Sequence, residues 1–161
     1  MFTGISEAIS ALTTAKETFL IKFAVAIRES INIVHNGVLI KTPVWSGETI
    51  NNYHWGVDSM SGGGLRAAVG SGDPGATSSM ALGSEPRRGP NTAGVNAEKS
   101  SLAITKNNMF HEYILYNMHP KAEDLEYGML PEPGRSRSPS GMIRLTEAEL
   151  MARLGVLLNV S

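Results

Sequence analysis

The chain holds 161 residues, carries a formal net charge of −1 and contains no cysteine. That length suits one domain with one modest core, and the near-neutral balance announces neither a nucleic-acid nor a membrane partner. The missing cysteines exclude disulfides, thiolate zinc sites and cysteine nucleophiles, and they fit folding in a reducing cytosol.

The N-terminus carries Glu7 and no basic run, so no secretory signal is expected. A long helix is the strongest expectation here. Thr3 or Ser6 can cap it, with Glu7 in the first turn favourable to the dipole. Ile9, Leu12, Ala15, Phe19, Phe23, Ile27, Ile31 and Val34 then recur at steps of three and four, which is one continuous apolar face. The most apolar stretch, 19–44, is broken by Lys22, Arg28, Glu29, His35 and Lys41, so it reads as a soluble helix and not a membrane span. Gly37 is expected to mark a break, and Thr42-Pro43 ends the helix because the residue before proline avoids the α region. Leu20 and Ile21 widen the stripe. A helix this long and this broadly apolar needs more than one surface to pack on, a neighbouring subunit included.

Thr-Pro-Val-Trp-Ser-Gly at 42–47 is a turn, and a half-buried strand over 52–58 follows, with Tyr53, Trp55 and Val57 on alternate positions. Residues 60–94 hold nine glycines and three prolines and sustain no period, although 65–69 suits a short strand or turn. So long a stretch reads as a loop or arm, and such loops are usually functional. A second helix is expected over 93–110, using Val95, Leu102 and Ile104, and a strand over 112–117. His119-Pro120 starts a short helix with Ala122, Leu125 and Tyr127, which Gly128 stops. Residues 129–141 form a proline, serine and arginine loop. The last helix covers 146–158, or starts slightly earlier, with Leu145, Leu150, Leu154, Leu157 and Leu158 as its stripe. These elements predict an α+β fold: a long N-terminal helix packed on a small antiparallel sheet, with further helices and long loops.

No catalytic constellation stands out. His35, His54, His111 and His119 are scattered over separate elements, and no His-Glu-x-x-His spacing exists. The glycines around Arg66 lack the Gly-Lys-Ser/Thr ending of a phosphate loop, and no serine sits in a Gly-x-Ser-x-Gly elbow. Glu123, Asp124 and Glu126 read as a solvated face or as a patch complementary to a basic partner. Neither a metal nor a cofactor is therefore expected. Arginines gather in the two loops, Arg87 and Arg88 in one, then Arg135, Arg137 and Arg144 in and after the other. Such side chains suit phosphates or acidic subunit surfaces, or stand simply as solvated loop charge.

Three stretches together resemble the neck and tail-completion (minor tail) proteins of long-tailed bacteriophages, the family of the lambda-like minor tail protein Z. The turn at 42–47 is similar to the family's Thr-Pro-Val-Asp-Thr-Gly, with Trp45 and Ser46 in place of Asp-Thr. Ile-Leu-Tyr-Asn-Met-His-Pro-Lys-Ala at 114–122, running to Leu-Glu-Tyr-Gly at 125–128, looks like the family's strand, Asn, linker and Glu-Gly pattern, with Lys121 where tyrosine is common. Pro-Ser-Gly-Met-Ile-Arg-Leu-Thr at 139–146 is similar to the segment that opens the family's last helix. Residues 60–94 match nothing in it. The resemblance implies a non-enzymatic virion subunit, assembled in the host cytoplasm, that forms a homo-oligomeric ring, expected to be a hexamer, between head or portal and tail. Its partners would be itself, the adjacent connector and tail-tube or terminator proteins, and packaged DNA in the channel, with no membrane. Arg87, Arg88, Arg135, Arg137, Arg144, Trp45 and Tyr127 are the candidate interface or channel-facing residues. A tail terminator or head-tail connector is the nearest alternative. A metal-dependent enzyme using His111 or His119 and a DNA-binding module are the alternatives from other classes.

Overall fold

A computed structural model describes residues 3–42, 48–60, 63–66, 92–129 and 140–158. The chain is α+β and mostly helical. Helix α1 (Thr3–Lys41) is followed by α2 (Glu48–Asn51), strand β1 (Tyr53–Val57), α3 (Ala93–Ser101), β2 (Tyr113–Asn117), α4 (Ala122–Glu126) and α5 (Ile143–Leu158). The two strands pair antiparallel, Tyr53 opposite Asn117 and Val57 opposite Tyr113. Main-chain bonds from Met118 to Asn52 and from Asp58 to Glu112 extend the ladder at its two ends.

At 1.5 Å per residue, α1 is about 58 Å long. Its mid-helix hydroxyls do not break it: Thr13, Thr14, Thr18 and Ser30 each donate back to the carbonyl four residues earlier. Because the helix begins at Thr3, Glu7 falls in the second turn and its first turn holds no acid. Thr42 closes the helix, its amide and hydroxyl both donating to the Val38 carbonyl. Gly37 is not a break. A β-carbon there would sit 2.7 Å from Thr146 Cγ2, so the glycine is what lets α5 lie directly on α1.

The core gathers Ala24, Ile31 and Val38 of α1 with Tyr53 and Trp55 of β1, Val95 of α3, Ile104 and Met109. Strand β1 was expected to be half-buried, yet Tyr53, His54, Trp55 and Gly56 are all covered. The second face is closed by α3, whose Glu98 meets His54, and by Gly63, whose absent β-carbon would lie 2.6 Å from the His54 ring.

Helix α3 stops at Ser101, short of the expected 110. The cause is local: Asn108 accepts from both the amide and the hydroxyl of Thr105 and donates to the Ala103 carbonyl, folding 103–108 into a turn. Leu65 and Arg66 are not in a strand, and 67–69 lie outside the described residues. Helix α4 ends as expected, with Gly128 at φ +70°. Helix α5 starts at Ile143, and of its expected stripe Leu150, Leu154 and Leu157 are half-buried while Leu145 and Leu158 stay exposed. Among the described residues no helix is long and apolar enough to cross a membrane.

Candidate functional site

The expected apolar face of α1 is there, but only half of it is used. From Ala24 onward it supports the core. Towards the N-terminus Ile5, Ile9, Leu12 and Phe19 stand more than half exposed, Leu12 at 74%. Residues 5, 9, 12, 16, 19 and 23 alternate steps of four and three, a heptad seam with a lysine at one central position. Ile9, Leu12, Thr13, Ala15, Lys16 and Phe19 line a shallow open groove along this seam. Phe19 stacks on Phe23, which meets Phe110, so the seam runs without a gap into the folded body. Glu17, to one side, pairs with Lys106, which holds its carboxyl below the usual range.

Of the residues singled out from sequence, Trp45, Arg87, Arg88, Arg135 and Arg137 lie outside the described residues. Arg144 and Tyr127 are brought together. The Arg144 guanidinium sits 5.4 Å from the Tyr127 ring centre, and its Nη2 donates to the Glu126 carbonyl at 2.7 Å. Both side chains are more than half exposed. The order in this patch comes from Glu126. Its carboxylate reaches across from α4 and accepts from the amides of Met142, Ile143 and Arg144 at 2.7, 2.9 and 3.0 Å, capping the N-terminus of α5. Partial burial pushes this carboxyl up, but those amides and Arg144 outweigh it and hold the group below the usual carboxylate value.

The four histidines occupy separate places. His111 Nδ1 pairs with Asp58 at 2.7 Å on the surface, and His119 lies 3.4 Å from the Thr49 hydroxyl. His35 is buried between Trp55, whose indole N–H donates to its Nδ1 at 3.2 Å, and Asn96, whose Oδ1 accepts from its Nε2 at 2.8 Å. Since the indole can only donate, His35 is neutral with its proton on Nε2. Burial accordingly pushes it below the ordinary histidine value. His54 Nδ1 lies 3.1 Å from both Glu98 and Arg66, and its buried Nε2 has no partner among the described residues. No group of three His, Asp or Glu able to hold a metal occurs among the described residues.

Sequence reasoning missed Arg66. Its guanidinium binds the carbonyls of Asn51 and Tyr53 at 3.0 and 2.9 Å and pairs with Glu98, while its main chain is held at both ends by the Asn52 amide. Gly94 lies against it, since a β-carbon there would be 2.8 Å from the guanidinium carbon. The residues flanking 67–91 thus meet at one anchored point. Among the side chains in this knot, Glu98 is pushed up by burial but held low by the Trp55 amide, His54 and Arg66.

Comparison with family models, with curated proteins and with solved structures finds no match.

Proposed function

We propose that this chain is a structural, non-enzymatic subunit of a phage neck: a homo-oligomeric ring, expected to be six-fold, joining the head or portal side of the virion to the tail. The observation that carries the proposal is the unclaimed apolar seam on the N-terminal half of α1. Burying a Leu, Ile or Phe side chain is worth about 1.5–3 kcal/mol, so four side chains more than half uncovered leave roughly 4–8 kcal/mol unrealised in an isolated chain. An apolar stripe of this kind, interrupted by Lys16 and rimmed by polar residues, suits a contact with another protein chain. The sequence segments that resemble the family, at 42–47, 114–128 and 139–146, are what support the head-to-tail joint as its station.

Light scattering of the purified full chain over a wide concentration range, together with a reconstruction of the neck of particles that carry it, tests the proposal. Concentration-dependent closed oligomers and ring density at the joint are expected. A monomer at every concentration combined with absence from the particle overturns it.

A further inference from the structure

The groove on α1 has a shape that specifies its occupant. In a coiled coil each hole is made by residues i, i+3, i+4 and i+7. Ile9, Leu12, Thr13 and Lys16 form one such hole, and Leu12, Ala15, Lys16 and Phe19 form the next. Those two sets are together the whole lining of the groove. What fits is therefore an α-helix bearing an apolar knob, with a carboxylate beside it to meet Lys16, which acts on its chain neighbour Glu17 through space but forms no salt bridge among the described residues.

A second α1 does not meet that need. Its seam carries the same lysine, and Glu7 and Glu17 lie away from the seam. Helix α5 does. While Thr146, Leu150, Leu154 and Leu157 turn inward, Ala148, Met151, Gly155 and Leu158 form a second seam at steps of three, four and three on the outer side. Met151 is 64% exposed, a β-carbon on Gly155 would touch nothing within 4 Å, and Leu158 is more than half exposed. The small residues on either side of Met151 allow close approach of a helix. One turn from Met151 stands Glu147, which is exposed and, like Lys16, forms no salt bridge among the described residues.

We infer that the outer face of α5 of one subunit docks on the N-terminal seam of α1 of the next, with Met151 seated between Leu12, Ala15 and Phe19 and Glu147 paired with Lys16. This rests on the homo-oligomeric reading above. The two surfaces are different, so the contact is head-to-tail and repeats from subunit to subunit, making a ring where the rotation closes, whereas an α1–α1 contact closes as a two-fold dimer.

Because the chain has no cysteine, mixing the full-length variants Leu12→Cys and Met151→Cys under oxidation reports this contact directly. Disulfide-linked pairs of one chain of each kind are expected. Lys16→Glu alone and Glu147→Lys alone weaken assembly about tenfold or more through like-charge contact, and the double reversal restores it. Assembly of the unaltered chain with Leu12→Cys linking only to itself, or with no recovery in the double reversal, overturns the α5 pairing and leaves the ring intact. A chain that stays monomeric at every concentration overturns both.

Discussion

Replacing Glu126 with alanine removes the cap that starts α5. The carboxylate is 12% exposed and accepts three successive main-chain amides at 2.7–3.0 Å. The Met142 amide belongs to a buried residue, so stranding it costs about 1–3 kcal/mol. Ile143 and Arg144 are exposed, so water replaces the carboxylate there, and the loss is the ordinary cost of an N-cap, about 1 kcal/mol. The sum is about 2–4 kcal/mol, which moves a urea midpoint down by about 1–2 M. Glu126→Gln keeps one acceptor oxygen and falls between. The pH dependence has a definite sign. The folded carboxyl is held below its ordinary 4.5, so its contribution is fully present above that value and is lost as pH falls through the lower folded one. The alanine variant should lose that part of the acid limb. A midpoint shift under about 0.2 M in Glu126→Ala, with an unchanged acid limb, would refute the capping role.

Gly37→Ala should destabilise. Crowding against Thr146 costs about 1–3 kcal/mol, against about 1 kcal/mol gained in helix propensity. Thr146→Ala in the same chain should recover part of the loss in a double-mutant cycle, and strict additivity would sink the contact. His35, neutral between Trp55 and Asn96, has a folded value pushed below 6.5. Its stabilisation is complete above that pH and declines below it until the folded value is reached. A thermal melting profile that falls over this window in the native chain but not in His35→Gln, with Trp55 fluorescence shifting alongside, checks it. Arg66→Lys keeps the charge but loses the fork to Asn51, Tyr53 and Glu98, and should cost about 1.5–3 kcal/mol in chemical denaturation. A lysine chain as stable as the native one would show that the fork is dispensable.

Where structure follows from neighbours in sequence, it was legible. Period and punctuation located α1, β1, β2 and α4 because the apolar steps and the stops at Thr42 and Gly128 act within a few residues. Where a distant group decides, it was not. The last helix was legible, with a start slightly ahead of Thr146, but what sets that start at Ile143 was not: Glu126, seventeen residues earlier, takes its amides. Glu126 read on its own is one more surface acid. Gly37 reads as a breaker until Thr146 is placed against it, although an isolated glycine in a strongly periodic helix also signals close approach. Nothing around Arg66 marks it out within a glycine-rich run, since its partners at 51–54 and 98 come together only in the fold. One further signal lies in the sequence: the four-three alternation of Ile5, Ile9, Leu12, Lys16, Phe19 and Phe23 describes a coiled-coil seam with one charged position, narrower than the face of a helix buried in its own domain.

That alternation also explains why α1 is divided as it is. Past Phe23 the apolar steps shift to Ile27, Ile31, Val34 and Val38, a broader face that β1, α3 and α5 cover between them. Before it the face narrows to a seam that one helix can cover, and no described element does. Helix α5 carries the matching division, one side on α1 and the other outward. On the proposed pairing, the direction in which the outer side points is set by two local devices: the Gly37–Thr146 contact, which fixes how closely α5 lies on α1, and the Glu126 cap, which fixes where α5 starts. Loosening either one rotates or frays the helix that bears Met151 and Glu147. Substitutions far from the contact, at Gly37 or Glu126, should therefore weaken assembly at concentrations where the chain is still folded.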